Sequence, residues 1–395
     1  MKKILISALL LTCLLLGVEA QSPELGDMVE VSLLTCRSGD ELYSTFGHTA
    51  LRVRNEANSS DIVFNYGVFD FDAPYFYIKF LRGLLPYRLS ATTMERFLRN
   101  YNYERRSVIE QKLALTTAQK TALLEALAEN IKPENATYKY DFFFDNCTTR
   151  TEDVVRSITG TITYSKPLAD VTFRQMLKPN LTSLPWSEFG IDLIIGAVAD
   201  QKASRNQQHF LPLYLYADVK EATIVIDKAR KNLAATDYLV LDFEMENEQR
   251  KTPATNWPLI ITALLLLAEI ATSWLQPTGT MTRLYDKAWF ILLAMMSVVM
   301  GIMWWGTEHM ATKQNYNLLW ANILYIPYLL VGRSIVKRGL ASVILLCSAA
   351  ALANSIYQFL PQYFLPSFGV IAAISIVKLI RGWSMSSTTQ INIKP

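Results

Sequence analysis

The chain predicts an α+β exported domain followed by an all-α transmembrane bundle, and three observations lead there. An apolar run follows two lysines at the N-terminus, and mixed strand and helix signals fill the region up to residue 243. Apolar stretches of membrane-spanning length crowd the region after residue 255. Composition agrees, since 51% of the 395 residues are hydrophobic and 18% are charged, more apolar and less charged than a usual soluble chain. A net charge of +3 offers no basic stripe, so nucleic acid is not an expected partner.

At the N-terminus, Lys2 and Lys3 precede an apolar run from Ile4 to Leu16, and Val18, Glu19 and Ala20 supply a cleavage pattern. Residues 1–20 are therefore read as a removable secretory signal. Cys13 is not taken as a lipid-attachment site, because Thr12 before it matches poorly and cleavage there would leave a short apolar run. Removing the signal leaves Cys36, Cys147 and Cys347, and an odd number in an exported protein implies a free thiol. Cys347 lies in an apolar run and reads as a small buried side chain. A Cys36–Cys147 disulfide is the structural alternative for the other two.

Within residues 21–243, strands are predicted at Met28 to Leu34, Thr49 to Val53, Val63 to Val68 and Ser107 to Leu113. Helices are predicted at Thr93 to Tyr101 and at Ala118 to Asn130, with Thr116 and Thr117 as caps of the second. The polar stretch 244–255 reads as a linker, and no internal repeat is present. A transmembrane domain over 256–382 is expected to hold five helices: Trp257 to Leu275, Ala288 to Trp305, the shorter Leu318 to Val331, Leu340 to Leu360 and Phe364 to Ile380. Five crossings from an exported domain put the loops at 276–287 and 332–339 and the tail 383–395 in the cytoplasm. Arg283, Lys287, Arg333, Lys337, Arg338 and Arg381 fall at those ends, as the positive-inside bias requires. The loop Thr307 to Tyr316 then faces the same side as the exported domain.

Histidine is scarce, with three in the chain, and His48 is the best placed for chemistry. Its surroundings, Phe46-Gly47-His48-Thr49-Ala50-Leu51-Arg52-Val53, put a glycine for close backbone approach beside a strand that carries His48, Ala50 and Arg52 on one face. The turn-rich Asn55 to Ser59 predicts an antiparallel hairpin, and a tip near Ala57 sets His48 opposite residue 65 or 66. A one-residue slip decides between Asn65 and Tyr66 as the group that orients the imidazole. Cys147 follows Asn146, a good N-cap, at the start of a helix marked by Val154, Val155 and Ile158. Unpaired N–H groups and the helix dipole favour a thiolate there and offer donors for an oxyanion. Cys36, ending a strand before a turn, is the second-choice nucleophile.

A histidine on an early strand, a polar residue on the next and Asn-Cys opening a helix resemble the circularly permuted papain-like arrangement of lecithin retinol acyltransferase and NlpC-type hydrolases. More closely, Leu33-Leu34-Thr35-Cys36, Phe46-Gly47-His48, Asn65-Tyr66-Gly67, Lys79-Phe80-Leu81-Arg82-Gly83 and Asp141-Phe142-Phe143-Phe144-Asp145-Asn146-Cys147-Thr148-Thr149-Arg150 resemble the Lnb-type bacterial lipoprotein N-acyltransferases. The resemblance covers about residues 30 to 215 and continues through His309 and Asn315-Tyr316-Asn317-Leu318-Leu319-Trp320.

That resemblance implies Cys147 as nucleophile, His48 as general base and acid, and Asn65 as the orienting residue, with no metal and no cofactor. It implies an acyl chain taken from a phospholipid as a Cys147 thioester and passed to the α-amine of a diacylated lipoprotein, at a bacterial inner membrane. Confining both lipid substrates and the thiol to one surface raises their effective concentration. Tyr66, Arg52, Arg150, His309, Asn315 and Asn317 are the further candidates for substrate contact, with Glu308 behind them. Arg52 and Arg150 have an alternative as ion-pair partners, and His209 reads as structural. The rival functions are a membrane-anchored Cys/His hydrolase acting on phospholipid or cell-wall peptide, and a non-enzymatic assembly factor. Few ionisable residues in the spans, chiefly Glu269, argue against transport.

Overall fold

The computed structural model describes residues 28–70, 72–332 and 334–391. The expected signal at 1–20 with Cys13, and the expected cytoplasmic Arg333, lie outside the described residues. The N-terminal domain is built on a seven-stranded antiparallel sheet of order β6-β4-β3-β2-β1-β5-β9. Its strands are β1 (Val29–Cys36), β2 (His48–Asn55), β3 (Ser60–Val68), β4 (Pro86–Thr93), β5 (Val108–Leu113), β6 (Thr137–Lys139) and β9 (Ala234–Leu241), and a separate ribbon pairs β7 (Thr223–Ile226) with β8 (Ala229–Asn232). The helices interleaved with them are α1 (Phe76–Leu81), α2 (Met94–Tyr103), α3 (Thr117–Asn130), α4 (Cys147–Thr159), α5 (Phe173–Leu177), α6 (Pro185–Ile194), α7 (Arg205–Gln208) and α8 (Pro212–Val219).

Each predicted strand and helix of this domain is present, within one to three residues of its expected ends. The β2–β3 hairpin closes on Asx turns, with Ala57 N–H donating to Asn55 Oδ1 and Ser60 N–H to Asn58 Oδ1. Its register runs from Asn55↔Ser60 to Leu51↔Phe64. Thr93 caps α2, and Thr116 caps α3 in a reciprocal box with Gln119. Period-two alternation splits β1 and β2 between two cores. Val31, Leu33, Leu51 and Val53 pack against α3, α4 and α8, while Leu34, Cys36 and Ala50 pack with Val63 against α2.

The stretch 244–255, expected as a linker, begins as helix α9 (Glu244–Arg250) and is strapped to the domain. Asn247 is buried and donates to Ser107 Oγ, and Arg250 reaches Asp40 at 2.7 Å and the carbonyls of Glu104 and Arg105.

Among the described residues, four helices are long and apolar enough to cross a membrane: α10 (Trp257–Leu275), α11 (Thr280–Trp305), α13 (Ser334–Tyr357) and α14 (Pro366–Ile391). The expected third span, Leu318 to Val331, is not a continuous helix. It consists of a 3-10 turn at Tyr316–Leu319, a bend at Ala321 and the short α12 (Tyr325–Leu330). The cause is local: Asn315 and Asn322 accept from Asn317 and Leu324 N–H in Asx turns, and Pro327 withholds a donor. Trp320, Ala321 and Tyr325 are nonetheless fully buried in the bundle core. The segment runs from Asn315, beside α6, to the far end of the bundle, where Lys337 stands over the Tyr328 ring.

The bundle exposes its apolar residues, among them Leu264, Leu267 and Leu346, as a lipid-facing surface does. Glu269, expected to be nearly alone, belongs to a four-membered ion cluster. Lys378 lies 2.8 Å from Asp286 and also pairs with Glu269, and Arg381 lies 2.7 Å from Glu269 and pairs with Asp286. Two cations and two anions joining α10, α11 and α14 compensate one another, which is how charge survives in such a bundle.

Helix α6 fastens the two halves together. Phe189 packs on Phe368, and the carbonyls orphaned at the C-terminal end of α6 are taken by Asn315, Asn317 and Arg174. Gly196 N–H donates to Ala311 O, and a Cβ at Gly196 would stand 2.0 Å from Lys313 O, so only glycine allows this approach.

Candidate active site

The site lies where β2 begins and β3 ends, with the N-terminus of α4 facing them. The sequence before α4 is a self-closing turn in which Asp141 and Asp145 exchange backbone hydrogen bonds and Asp141 Oδ1 accepts from Phe143 and Phe144 N–H. Phe142 and Phe143 anchor that turn against Phe173 and Phe210. Asn146 then caps the helix. Its Oδ1 accepts from Thr148 N–H at 2.8 Å and Thr149 N–H at 3.0 Å, Thr149 Oγ1 returns a bond to Asn146 N–H, and its Nδ2 donates to the carbonyls of Phe142 and Phe210. Such a cap contributes about 1 kcal/mol. It also consumes the N–H groups of Thr148 and Thr149, so the oxyanion donor left at this terminus is the N–H of Cys147 itself.

Cys147 occupies the first helical position and is part-buried. Two glycines let the neighbouring chains come close. Gly67, at φ +83, presents no Cβ where one would stand 3.4 Å from Cys147 Cβ, and Gly47, at φ +82, lies where a Cβ would stand 2.7 Å from Cys36 O. β3 is irregular between Asn65 and Val68, and Asn65 Oδ1 comes within 3.2 Å of His48 Nε2. The Cys147 thiol stands close enough to the His48 ring for each to act on the other's titration by charge and hydrogen bonding.

Burial alone would raise the Cys147 thiol. The His48 imidazole outweighs it by charge and hydrogen bond, helped by Thr49 N–H and the Thr148 hydroxyl, and holds the thiol down at about 7. Burial likewise opposes the His48 cation, yet the thiolate and Asn65 lift the imidazole above its ordinary value. Each group therefore favours the charged form of the other. Cys36 is opposite His48 in the β1–β2 ladder but is fully buried, and burial pushes its thiol up to about 12. Cys36, Cys147 and Cys347 all stand as free thiols.

Cys147, His48 and Asn65 line one large cavity of about 1250 Å³, above the roughly 300–1,000 Å³ of an ordinary small-molecule pocket. Most of its wall is apolar. Phe46, Phe80, Tyr87, Leu177, Ile191 and Met303 contribute, so the wall draws on the sheet, on α6 and on α11 of the bundle. Ser90, Thr92, Arg96, Asn100 and Arg106 also line it and supply polar groups.

Of the further candidates, only His309 reaches this cavity, and its Nε2 bonds Phe80 O at 2.9 Å. Tyr66 turns away, its hydroxyl accepting from Asn130 Nδ2 at 2.8 Å, so Asn65 is the group beside the imidazole. Arg52 is held between Asp61 and Glu110, and Arg150 is bidentate to Asp145 over the Tyr138 ring. Asn315 and Asn317 are buried against the end of α6, and Glu308 pairs with Lys139. These residues are ion-pair, cap and docking groups, because each has its polar atoms committed to protein partners. His209 is fully buried between Glu152 and Asp218. Sequence reasoning missed Thr49 N–H, whose role depends on backbone direction. It also missed α6, whose Pro185 at the start and Trp186, Phe189 and Leu193 at helical spacing were the available signal. Among the described residues no group of three or more His, Cys, Asp or Glu is arranged to hold a metal ion.

Residues 25–178 match the family model of the Lnb N-terminal periplasmic domain, and residues 248–389 match that of the Lnb transmembrane domain. No curated protein and no solved structure matches the chain. The domains point to a lipoprotein-modifying membrane protein, and a periplasmic domain joined to four candidate spans supports an inner-membrane location. With both domains matched in this order over most of its length, the chain belongs to the Lnb family.

Proposed function

We propose that this protein is a lipoprotein N-acyltransferase that works through a Cys147 thioester. One observation carries the reading: a thiol held at about 7 by an adjacent imidazole opens on a mostly apolar cavity that continues to the membrane-spanning bundle. His48 on one strand, Asn65 on the next and Cys147 opening a helix follow the order of a permuted papain-like site, and we read the domain as one. The charge bias at Arg283, Lys287, Lys337 and Arg338 supports a cytoplasmic C-terminus.

In the first half-reaction the Cys147 thiolate attacks the carbonyl carbon of a phospholipid ester. The resulting oxyanion faces Cys147 N–H, and collapse breaks the bond to the glycerol oxygen, which takes the proton from the His48 imidazolium and leaves as lysophospholipid. In the second, the α-amine of a diacylglyceryl-cysteine attacks the thioester carbon. Neutral His48 accepts the amine proton, the amide forms, and sulfur departs as thiolate. Asn65 acts by holding the imidazole plane. Apolar walls favour acyl chains and keep water from competing with the amine. The polar lining residues Arg96 and Asn100 suit the parts of either substrate that stay hydrated.

Mass spectrometry of protein incubated with phospholipid tests this directly. An acyl mass sensitive to hydroxylamine should accumulate on Cys147 and move to the amine of a diacylated lipopeptide. A hydrolase would release free fatty acid at the same rate with or without the peptide, and a binding module would gain no mass. An equal gain on a peptide with an acetylated amine would sink the assignment.

A further inference from the structure

Helix α1, Phe76–Leu81, buries none of its six residues. Tyr75 is 76% exposed, Tyr77 78%, Ile78 57%, Phe80 48% and Leu81 57%, so one short segment presents a contiguous aromatic and aliphatic patch. Patches of this kind mark a contact with something apolar, and the position of α1 identifies what.

His309 bonds Phe80 O, Glu308 N–H donates to Arg82 O, and a Cβ at Gly83 would stand 3.2 Å from His309 N. α1 is therefore pinned to the turn that immediately follows α11, where that helix leaves its apolar path. Trp305 at the end of α11, Trp257 at the start of α10 and Trp186 at the start of α6 are each more than half exposed. Tryptophan and tyrosine collect at the membrane–water boundary, and Lys79 and Arg82 add cations where lipid phosphates lie. Phe80 and Trp186 also line the Cys147 cavity, with Met303 of α11 in the same wall, so both rings face the outside and the cavity at once.

We propose that α1 is immersed in the periplasm-facing leaflet of the bilayer, and that the stretch between Phe80 and Trp186 is a lateral door for acyl chains. The partner is the lipid surface itself. The door rests on the acyl-transfer reading, while the immersion of α1 does not.

The full chain in nanodiscs of phosphatidylethanolamine and phosphatidylglycerol tests immersion by carbene labelling, with one diazirine dissolved in the bilayer and a charged one in water. Tyr103 on α2, 88% exposed, is the aqueous reference. The lipid-to-water labelling ratio across Tyr75 to Leu81 should exceed that at Tyr103 at least tenfold, and any smaller excess overturns the immersion. For the door, a phospholipid with a diazirine at the end of its acyl chain, mixed with the Cys147→Ser variant, should label Tyr87 and Leu177. Both are buried and line the cavity. Labels confined to the bundle exterior overturn the door. Neither measurement needs turnover, so a protein that labels as expected but never carries an acyl group would refute the acyl-transfer reading while leaving α1 in the leaflet.

Discussion

His48 and His209 are both buried or part-buried imidazoles raised above their ordinary value, and they differ in what raises them. His209 sits in the domain core between two carboxylates, 2.9 Å from Glu152 and 2.9 Å from Asp218, with Arg205 also on Asp218. Burial opposes its charge, but those fixed anions overcome it and raise the ring above its ordinary value. His48 has a neutral amide on one side and an ionisable thiol on the other, on the wall of a cavity. Against burial, its cation is supported first by the Cys147 thiolate and then by Asn65, so replacing the thiolate charge should lower the imidazole and ease loss of its proton. The comparison separates a histidine that holds structure from one that can carry a proton in both directions.

The widest separation comes from deleting each ring. His48→Ala and Cys147→Ala should each lower thioester formation by at least about 10³-fold with the fold intact, and the double variant should be hardly worse, because the pair acts as a unit. Cys36→Ser should keep most of the activity. His209→Ala should instead destabilise by about 1–3 kcal/mol, since Glu152 and Asp218 lose the ring between them while keeping Arg156 and Arg205. The pH sign differs as well. A raised histidine contributes fully below its unfolded value near 6.5 and loses that contribution as pH climbs through the folded value. Thermal unfolding of wild type should therefore show the His209 contribution shrinking on the alkaline side, and a His209→Ala penalty that is constant with pH would contradict the ion-pair account.

An intermediate effect comes from converting one site into the other. Asn65→Asp places a carboxylate beside His48 Nε2 in the manner of Asp218 beside His209. It should hold the imidazolium to higher pH, slowing transfer to the amine about tenfold near neutrality and recovering as pH rises. Asn65→Ala removes a bond that raises His48, so the same limb should move down while misorientation of the ring costs about 10–100-fold. Opposite shifts of the pH–rate limb, measured under single turnover, mark a positioning residue, whereas a packing role would leave the limb in place.

How much of this was legible in the sequence follows the range of each signal. The α4 cap, the β2–β3 hairpin and the strands were legible because capping, turn and alternation rules act within a few residues. The choice between Asn65 and Tyr66 was not, because it depends on the register and the irregularity at Gly67. Asn315 and Asn317 looked available as isolated polar residues, but their partners Leu193 and Asp192 are more than 120 residues away, and the buried partner of Arg52, Glu110, is 58 residues away although Asp61 is near in sequence. Hydropathy likewise reported an apolar third span, whereas Asn322 and Pro327 decide that its backbone does not continue as one helix.

The finest contrast lies between the two thiols beside His48. Iodoacetamide reacts with thiolate, so Cys147, held at about 7, should alkylate with a midpoint near neutrality. Cys36, pushed to about 12 and buried, should stay unmodified up to pH 9 in the folded protein. Peptide mass spectrometry reads both sites in one sample. The helix terminus can then be isolated from the imidazole through Asn146→Ala. Losing the cap costs about 1 kcal/mol of stability, and loosening the first turn weakens the dipole that favours the thiolate by about 0.3–1 kcal/mol. At about 1.4 kcal/mol per pH unit, the Cys147 midpoint should rise by less than about one unit. His48→Ala should move it further, because His48 supplies the leading opposition to burial. If Asn146→Ala moves the midpoint more than His48→Ala does, the helix terminus rather than the imidazole activates the thiol, and the contrast with His209 loses its basis.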